Sequence, residues 1–142
     1  IYDFNETYDV IYCHGVMHHF KDCDLLINKI DKLLTNEGII IFTEVSQYCF
    51  IHKIARSIYR PFQSDRLWEW PIERKFIERL YSKFSVINII GWGKYSIFIS
   101  FIPMFYPLIV VYKYFIKKEL NIKDDWGVWK NSTVSAIVKK LQ

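Results

Sequence analysis

The stretch from residue 8 to residue 43 constrains the fold of this chain more than any other, because apolar runs and loops alternate in it in a set order. A short apolar run at 8–13 leads into a histidine-rich loop at 14–20. An amphipathic helix pattern follows, and Gly38 then precedes a second apolar run at 39–43. The order strand, loop, helix, strand is typical of parallel sheets, in which ligands bind beyond the carboxyl ends of the strands. The sequence therefore predicts an α/β fold with the histidine loop at the ligand edge.

Local signals indicate where the intervening helix begins and ends. Asp22 is placed as the N-cap, and Asp24 is favourable in the first turn because the helix N-terminus carries partial positive charge. The apolar residues spaced for one helical face are Leu26, Ile30, Leu33 and Leu34. We expect Asn36 to Gly38 to stop the helix, with Gly38 able to adopt positive φ. The run at 8–13 is apolar on both faces, which is typical of a strand that is covered on both sides.

Two further helices and two further strands are predicted downstream. The helices span 48–60 and 72–83, and the strands span 85–92 and 133–138. The apolar side of the second of these helices is expected to comprise Phe76, Ile77, Leu80 and Phe84. The alternation of helix and strand continues the α/β pattern of the first 44 residues.

The segments between these elements indicate one domain over 1–142, with no repeat and no interdomain linker. Residues 61–71 form a loop that two prolines bracket, and residues 119–131 are polar and irregular. Within this domain, we distinguish the strand-to-strand unit at 1–44 from the remainder at 45–142.

Composition excludes several classes of protein. Of the 142 residues, 51% are hydrophobic and 18% are aromatic, which excludes a disordered chain. The net charge of +4 is modest and Lys and Arg are scattered among Asp and Glu, so we expect no nucleic-acid partner. Three cysteines without paired spacing favour reduced thiols in the cytoplasm. Since the chain has no initiator Met and no signal peptide, we interpret Ile1 as lying within a longer sequence.

The order of these features resembles the second half of a class I S-adenosylmethionine-dependent methyltransferase, of the type 11/12 kind. The matching segments are similar to that family's fourth strand, its His-His loop, its leucine-rich helix exit and its fifth strand. They are Tyr8-Asp9-Val10-Ile11, Gly15-Val16-Met17-His18-His19-Phe20, Lys32-Leu33-Leu34-Thr35-Asn36-Glu37-Gly38 and Ile39-Ile40-Ile41-Phe42-Thr43-Glu44. Residues 70–84 are similar to the helix before the family's sixth strand, and residues 132–140 are similar to its closing strand.

The resemblance implies the C-terminal half of a Rossmann-like methyltransferase fold, with a partial, mostly parallel sheet and an antiparallel last strand. The chain lacks the family's glycine-rich cofactor turn and the acidic residue after the second strand, so we interpret it as a C-terminal fragment. The strand at 8–13 would then be an open apolar edge, which favours aggregation. We expect the chain alone to bind S-adenosyl-L-methionine weakly or not at all, and to be inactive; calorimetry tests this.

The resemblance also implies cofactor contacts around the first strand. The backbone of Cys13, His14 and Gly15 would lie against the methionine portion of the cofactor, and Gly15 would allow close approach because it has no Cβ. Asp3 corresponds to the residue that meets the adenine amino group. The alternative for the loop is an ordinary turn that contains a flexible glycine.

Three residues are candidates for acid–base catalysis. Methyl transfer from a sulfonium requires a deprotonated acceptor, and His18 or His19 has a suitable pKa range for taking the proton. Glu44 ends the second strand at the same edge, and it is a candidate base or acceptor ligand. The alternatives are that both histidines only hold the loop by hydrogen bonds, and that Glu44 is a solvated strand end.

A zinc site is a further alternative at this loop. Its possible ligands are Cys13, His14, His18, His19 and Cys23. No second ligand cluster completes a tetrahedral site, and Gly15 argues against a helix that would present His14 and His18 together. We therefore predict no metal.

The remaining features concern the methyl acceptor and a possible membrane contact. Lys53, Arg56 and Arg60 share one helix face, which is either a solvated face or a contact for an anionic substrate or lipid headgroup. Residues 94–118 hold a long uncharged stretch between lysines, interrupted by prolines, that either covers the substrate or lies at a membrane surface. The aromatic residues that are candidates to wall an apolar or aromatic acceptor are Trp68, Trp70, Trp92, Phe98 and Phe105.

We therefore predict S-adenosylmethionine-dependent methyl transfer to a small-molecule acceptor. The alternative is a membrane-peripheral binding module that uses residues 94–118, with residues 1–44 as scaffold. The predicted location is cytoplasmic, with possible membrane association.

Overall fold

A four-stranded sheet lies at the centre of the structure, a computed structural model that describes residues 6–64, 66–70, 72–94, 113–114, 117–118 and 125–141. The strands are β1 (Tyr8–His14), β2 (Leu34–Val45), β3 (Phe84–Trp92) and β4 (Thr133–Lys140), in the spatial order β1-β2-β4-β3. β1 runs parallel to β2, and β4 runs antiparallel to both β2 and β3. Three of these four strands therefore run in the same direction, and the predicted mostly parallel sheet with an antiparallel last strand is confirmed.

Helices connect the strands. They are α1 (Cys23–Leu33), α2 (Phe50–Tyr59), α3 (Arg74–Lys83) and α4 (Asp125–Trp129), with 3-10 turns at Met17–His19 and Arg60–Phe62. The predicted N-cap of α1 is confirmed, because the carboxylate of Asp22 accepts a hydrogen bond from the backbone N–H of Leu25 at 2.9 Å. The prediction of an irregular 119–131 segment is wrong where α4 lies, since Val128 and Trp129 are apolar enough to enter the core.

The core lies between one face of the sheet and the helices α1 and α3. Ile40 and Phe42 of β2 are fully buried in it, and the ring of Phe42 stacks on that of Trp129 with centroids 6.4 Å apart. The predicted apolar side of α3 is confirmed, because Phe76, Ile77, Leu80 and Phe84 are all buried. On α1 the buried residues are Ile27 and Ile30. Ile30 was predicted, as was Leu26, which packs partly buried against the core, whereas Ile27 was missed.

Gly38 and Leu34 have roles that differ from the prediction. Leu34 already belongs to β2, so the helix stops before residues 36–38 and those residues are extended. Among the described glycines only Gly15 and Gly93 have positive φ, so the predicted positive φ of Gly38 is wrong. Gly38 instead allows close packing, because a Cβ there would stand 2.8 Å from Cδ2 of Leu34 and 3.0 Å from the carbonyl oxygen of Thr35.

β1 is an edge strand within the described part of the chain, as predicted. Ile11 and Cys13 pack against the core, whereas Val10 and Tyr12 point to the opposite face, and Tyr12 is 64% exposed. The described residues therefore cover only one face of β1, and the prediction that both faces are covered is not met by them. An apolar edge strand of this kind favours association with another strand or chain.

Ion pairs join neighbouring elements at the end of the sheet that lies opposite the histidine loop. Asp31 near the end of α1 pairs with Lys83 at 2.6 Å and with Lys140 at 3.3 Å, so it joins α1 to α3 and β4. Burial by itself raises the pKa of the Asp31 carboxyl, but the bonds from Lys83 and Lys140 outweigh that effect and lower the pKa.

Replacement of Ile40 by Val tests the position of the core. Ile40 is 0% exposed, so the loss of one methyl group from a closed site should lower the free energy of unfolding by about 0.5–1.5 kcal/mol. The matched control is Ile87→Val, because Ile87 is 58% exposed on β3 and should change stability little. Urea denaturation measures both, and equal effects at the two positions would contradict the assigned core.

Candidate functional site

A buried carboxylate organises the loop that follows β1. Glu44 near the end of β2 is 1% exposed, and its Oε1 accepts hydrogen bonds from the backbone N–H groups of Val16 at 2.8 Å and Met17 at 2.7 Å. Its Oε2 lies 2.7 Å from Nδ1 of His18. A buried carboxylate is stable only when such donors replace its water shell, so the alternative of a solvated strand end is wrong for Glu44.

The contacts of His18 and His19 define which ring nitrogen carries a proton. Because a carboxylate can only accept, Nδ1 of His18 donates to Glu44. Nδ1 of His19 lies 3.0 Å from the carbonyl oxygen of Trp68 and donates to it for the same reason. In their neutral forms both imidazoles therefore present Nε2 as a proton acceptor, which is the form that a general base needs.

The histidine loop is also held from its other side. The backbone N–H of Trp70 donates to the carbonyl oxygen of His18 at 2.6 Å, and the rings of His18 and His19 lie 4.2 Å apart. The segment 66–70 and strand β2 thus hold the loop between them. This arrangement brings together the three residues predicted for acid–base catalysis, although their part in catalysis stays a prediction.

Gly15 is the point at which the backbone leaves β1. Its φ is +59°, and its N–H donates to the carbonyl oxygen of Thr43 at 2.9 Å, so the turn is fixed against β2. A Cβ there would make an ordinary van der Waals contact, since Cε1 of His18 would lie 3.9 Å away. Gly15 is partly exposed at the carboxyl end of a parallel strand, where ligands of α/β sheets bind.

The neighbours of Gly15 differ in exposure. Cys13 is half-buried, and burial, followed by the charge of Glu44, raises the pKa of its thiol. The thiol is therefore protonated at neutral pH, which fits a contact through the backbone and not a nucleophile. His14 is exposed at the end of β1. Asp3 lies outside the described residues.

A cleft of about 590 Å³ lies beside the histidine loop, between the start of α1 and the start of α3. Phe20 and Trp70 line it together with Phe76, and the charged residues Asp24 and Lys75 lie at its rim. The volume lies in the range of about 300–1,000 Å³ that small-molecule sites occupy. Of the aromatic residues predicted to line the acceptor site, Trp70 therefore lies beside a cavity.

The other aromatic candidates are distributed differently. Trp68 is exposed, and Trp92 is partly buried at the end of β3. Phe98 and Phe105 lie outside the described residues, as does most of the 94–118 segment.

His52 is a site residue that the sequence did not indicate. It lies half-buried on α2, and its Nδ1 is 3.4 Å from Oγ of Ser132, which directly precedes β4. Burial, and then the charge of Arg56, lowers the pKa of His52. No sequence pattern distinguishes it, because its neighbours come from a strand end that is 80 residues away in the chain.

Two kinds of feature are absent from the described part of the chain. No group of three or more His, Cys, Asp or Glu side chains converges there in a way that suits a metal ion. No helix among the residues described is both long and apolar enough to cross a membrane.

The sequence profile of a family described as a methyltransferase domain matches residues 2–94. This match covers more than half of the chain, and the chain therefore belongs to the methyltransferase domain family. The predicted class I methyltransferase is confirmed by this match and by the fold of the structural neighbours. A search of curated proteins found no match.

The solved structures that resemble this chain include methyltransferases and a cyclopropane synthase. The N-methyltransferase NodS from Bradyrhizobium japonicum WM9, in complex with S-adenosyl-L-homocysteine, is 9% identical with a TM-score of 0.53, over 99% of this chain and 50% of that one. The mycolic acid cyclopropane synthase CmaA1 is 14% identical with a TM-score of 0.55, over 98% and 57%. Coclaurine N-methyltransferase is 14% identical with a TM-score of 0.51, over 99% and 50%. The chain thus spans about half the length of these neighbours.

These three neighbours were solved with S-adenosyl-L-homocysteine, which S-adenosylmethionine becomes after it gives up its methyl group. The residues of this chain fit one side of such a cofactor, because the turn at Gly15 is hydrogen-bonded to β2 and Gly15 is partly exposed. The chain's five glycines include no glycine-rich turn of the dinucleotide-binding type.

Replacement of Glu44 by Gln tests the carboxylate as the anchor of the loop. One amide nitrogen would then face a backbone N–H or Nδ1 of His18, so a buried donor would lose its acceptor and the free energy of unfolding should fall by about 1–3 kcal/mol. Hydrogen exchange should accelerate at the amides of Val16 and Met17. Glu6→Gln is the control, because Glu6 is exposed; unchanged exchange at both amides would contradict the anchoring role.

The lowered pKa of His52 predicts a pH dependence of stability. Because the folded protein holds His52 neutral, the unfolded chain binds the proton more readily, and stability should fall as the pH drops below about 6.5. The variant His52→Gln should lose this part of the acid sensitivity, whereas His14→Gln at an exposed position should keep it. Urea denaturation between about pH 7.5 and 5 measures the difference, and parallel profiles for His52→Gln and wild type would disprove it.

Proposed function

We propose that this chain is the C-terminal half of a domain that transfers a methyl group from S-adenosylmethionine to a small-molecule acceptor. The observation that carries this proposal is the turn at Gly15, which has positive φ, partial exposure and a hydrogen bond to β2 at the ligand edge of the sheet. Membership in the methyltransferase domain family supports it. Coclaurine N-methyltransferase, one of the structural neighbours, was solved with the small molecule N-methylheliamine, which also supports a small-molecule acceptor.

The proposed division of labour follows from the contacts of the loop. The backbone of Cys13, His14 and Gly15 contacts the cofactor, which supplies an electrophilic methyl group when it is bound. Glu44 holds the loop in place by its three hydrogen bonds and thereby fixes the position of Gly15. Alignment of two bound reactants contributes much of the rate acceleration in such reactions. A loop held in one position therefore favours the reaction by orienting the cofactor.

The histidines differ in their suitability as a base. The side chain of His18 is 12% exposed and oriented by Glu44, an arrangement in which a carboxylate sets the tautomer of an imidazole. His19 is exposed and oriented only by the carbonyl oxygen of Trp68. We propose that His18 takes the acceptor's proton if either histidine does, and that His19 shapes the loop.

The rival proposal of a membrane-peripheral module depends on residues 94–118. Most of that segment lies outside the described residues, so this alternative stays a prediction. The predicted cytoplasmic location likewise stays a proposal.

Two substitutions at Gly15 separate close approach of the cofactor from backbone conformation. Both Gly15→Ala and Gly15→Asn add a Cβ, but Asn tolerates positive φ, whereas Ala should cost about 1–2 kcal/mol of stability. If the cofactor contacts Gly15, both variants should weaken binding of S-adenosylmethionine, even though only Gly15→Ala loses stability. Saturation-transfer NMR with S-adenosylmethionine suits this test because it detects weak binding.

The control for this experiment is His19→Gln, which changes the loop at a point away from the Gly15 backbone. Absence of any saturation transfer from the wild-type chain to S-adenosylmethionine would count against a cofactor contact made by this chain alone. Equal binding by the wild type and Gly15→Asn would also count against it, and would leave the turn as a purely structural feature.

A further inference from the structure

Helix α2 exposes three large apolar residues and turns one charged residue inward. Phe50, Ile54 and Ile58 are exposed, Phe50 by 73%, and none of its residues is fully buried. His52 and Arg56 are partly buried together with Ile51 and Ala55, and the side chain of Arg56 is only 13% exposed. Burial of a charge costs solvation, so Arg56 requires partners.

The inward side of α2 encloses a cleft of about 200 Å³. Its basic lining residues are Lys53, Arg56 and Arg60. Ser46 and Ser57 also line it, but their hydroxyl groups already donate to the carbonyl oxygens of Trp129 and Ile54. The cleft is smaller than the range of about 300–1,000 Å³ that whole small-molecule ligands occupy. It therefore suits one functional group of a ligand and not a complete molecule.

The charges around this cleft do not balance within the described residues. Arg56 forms an ion pair with Glu69. Arg60 donates hydrogen bonds to the backbone carbonyl oxygens of Arg66 and Glu69, which do not neutralise its positive charge. Lys53 has no ion-pair partner there, so three cations face one carboxylate.

The cleft is adjacent to the candidate active site. Ser46, which lines it, follows Glu44 by two residues, just beyond the carboxyl end of β2. It therefore opens at the same edge of the sheet as the Gly15 turn, where ligands of α/β sheets bind.

We propose that this cleft binds a carboxylate or phosphate group of the methyl acceptor, so that the acceptor is an acidic small molecule. This inference rests on the proposed function, because it takes the adjacent loop to be the methyl-transfer site. An oxyanion offsets the excess positive charge and fits the volume of the cleft.

Binding of inorganic phosphate to the full chain tests the cleft in the absence of S-adenosylmethionine. Phosphate and acetate are titrated at constant ionic strength, and binding is followed by amide shifts in NMR at residues 46–60. Lys53→Gln should weaken phosphate binding about tenfold, the effect of losing one charge-assisted hydrogen bond, and Lys53→Glu should abolish it. Lys53 is chosen over Arg56 because it is exposed, whereas loss of the Arg56–Glu69 pair endangers the fold.

The matched control is Lys32→Gln, which removes the same charge from an exposed position on α1. Phosphate binding that is absent in the wild type, or equally weakened by Lys32→Gln, would overturn the proposal. So would a Lys53-dependent binding to phosphatidylglycerol vesicles without any binding of phosphate or acetate. The phosphate titration contains no S-adenosylmethionine, so its result depends on the anion site alone. Failure of the methyl-transfer proposal would instead show in the binding of S-adenosylmethionine to the Gly15 variants.

Discussion

The buried carboxylate of Glu44 is the interaction on which the candidate site depends. It joins the carboxyl ends of β1 and β2, because two backbone N–H groups after β1 and one imidazole donate to a side chain at the end of β2. Removal of those donors would leave a charge in the protein interior, which is strongly unfavourable. The carboxylate therefore fixes the turn at Gly15, the tautomer of His18 and the path of the loop into α1 together.

The two ends of the sheet are stabilised by different means. At the end away from the site, Asp31 joins α1, α3 and β4 through two lysines, and apolar side chains fill the layer between the helices and the sheet. At the site end, hydrogen bonds between residues far apart in the sequence stabilise the structure instead. One of them is donated by Nδ1 of His19 to the carbonyl oxygen of Trp68. Packing thus supports the fold, whereas hydrogen bonds set the geometry of the loop, as functional sites require.

Apolar side chains are exposed near the candidate site. β1 presents Tyr12 to solvent, and α2 presents Phe50, Ile54 and Ile58 while Arg56 faces inward. Exposed apolar surface of this kind is suited to contacts with another element, chain or ligand. Because Arg56 also lines the basic cleft, α2 contributes both an exposed apolar stripe and a positively charged site.

The sequence by itself determined the element order, the N-cap at Asp22 and the apolar side of α3, because local capping and periodicity encode them. The antiparallel last strand followed from the resemblance to the methyltransferase family. The sequence also indicated the histidine loop, since residues 14–20 follow an apolar strand. It failed at Gly38, where close packing against Leu34 and Thr35 is decisive, and at the 125–129 helix and His52, whose contacts with Phe42 and Ser132 are distant in the chain. Only the tertiary structure decided that Glu44 is buried and that Arg56 of α2 faces inward. Burial and pairing depend on contacts between residues far apart in sequence, and no local pattern specifies them.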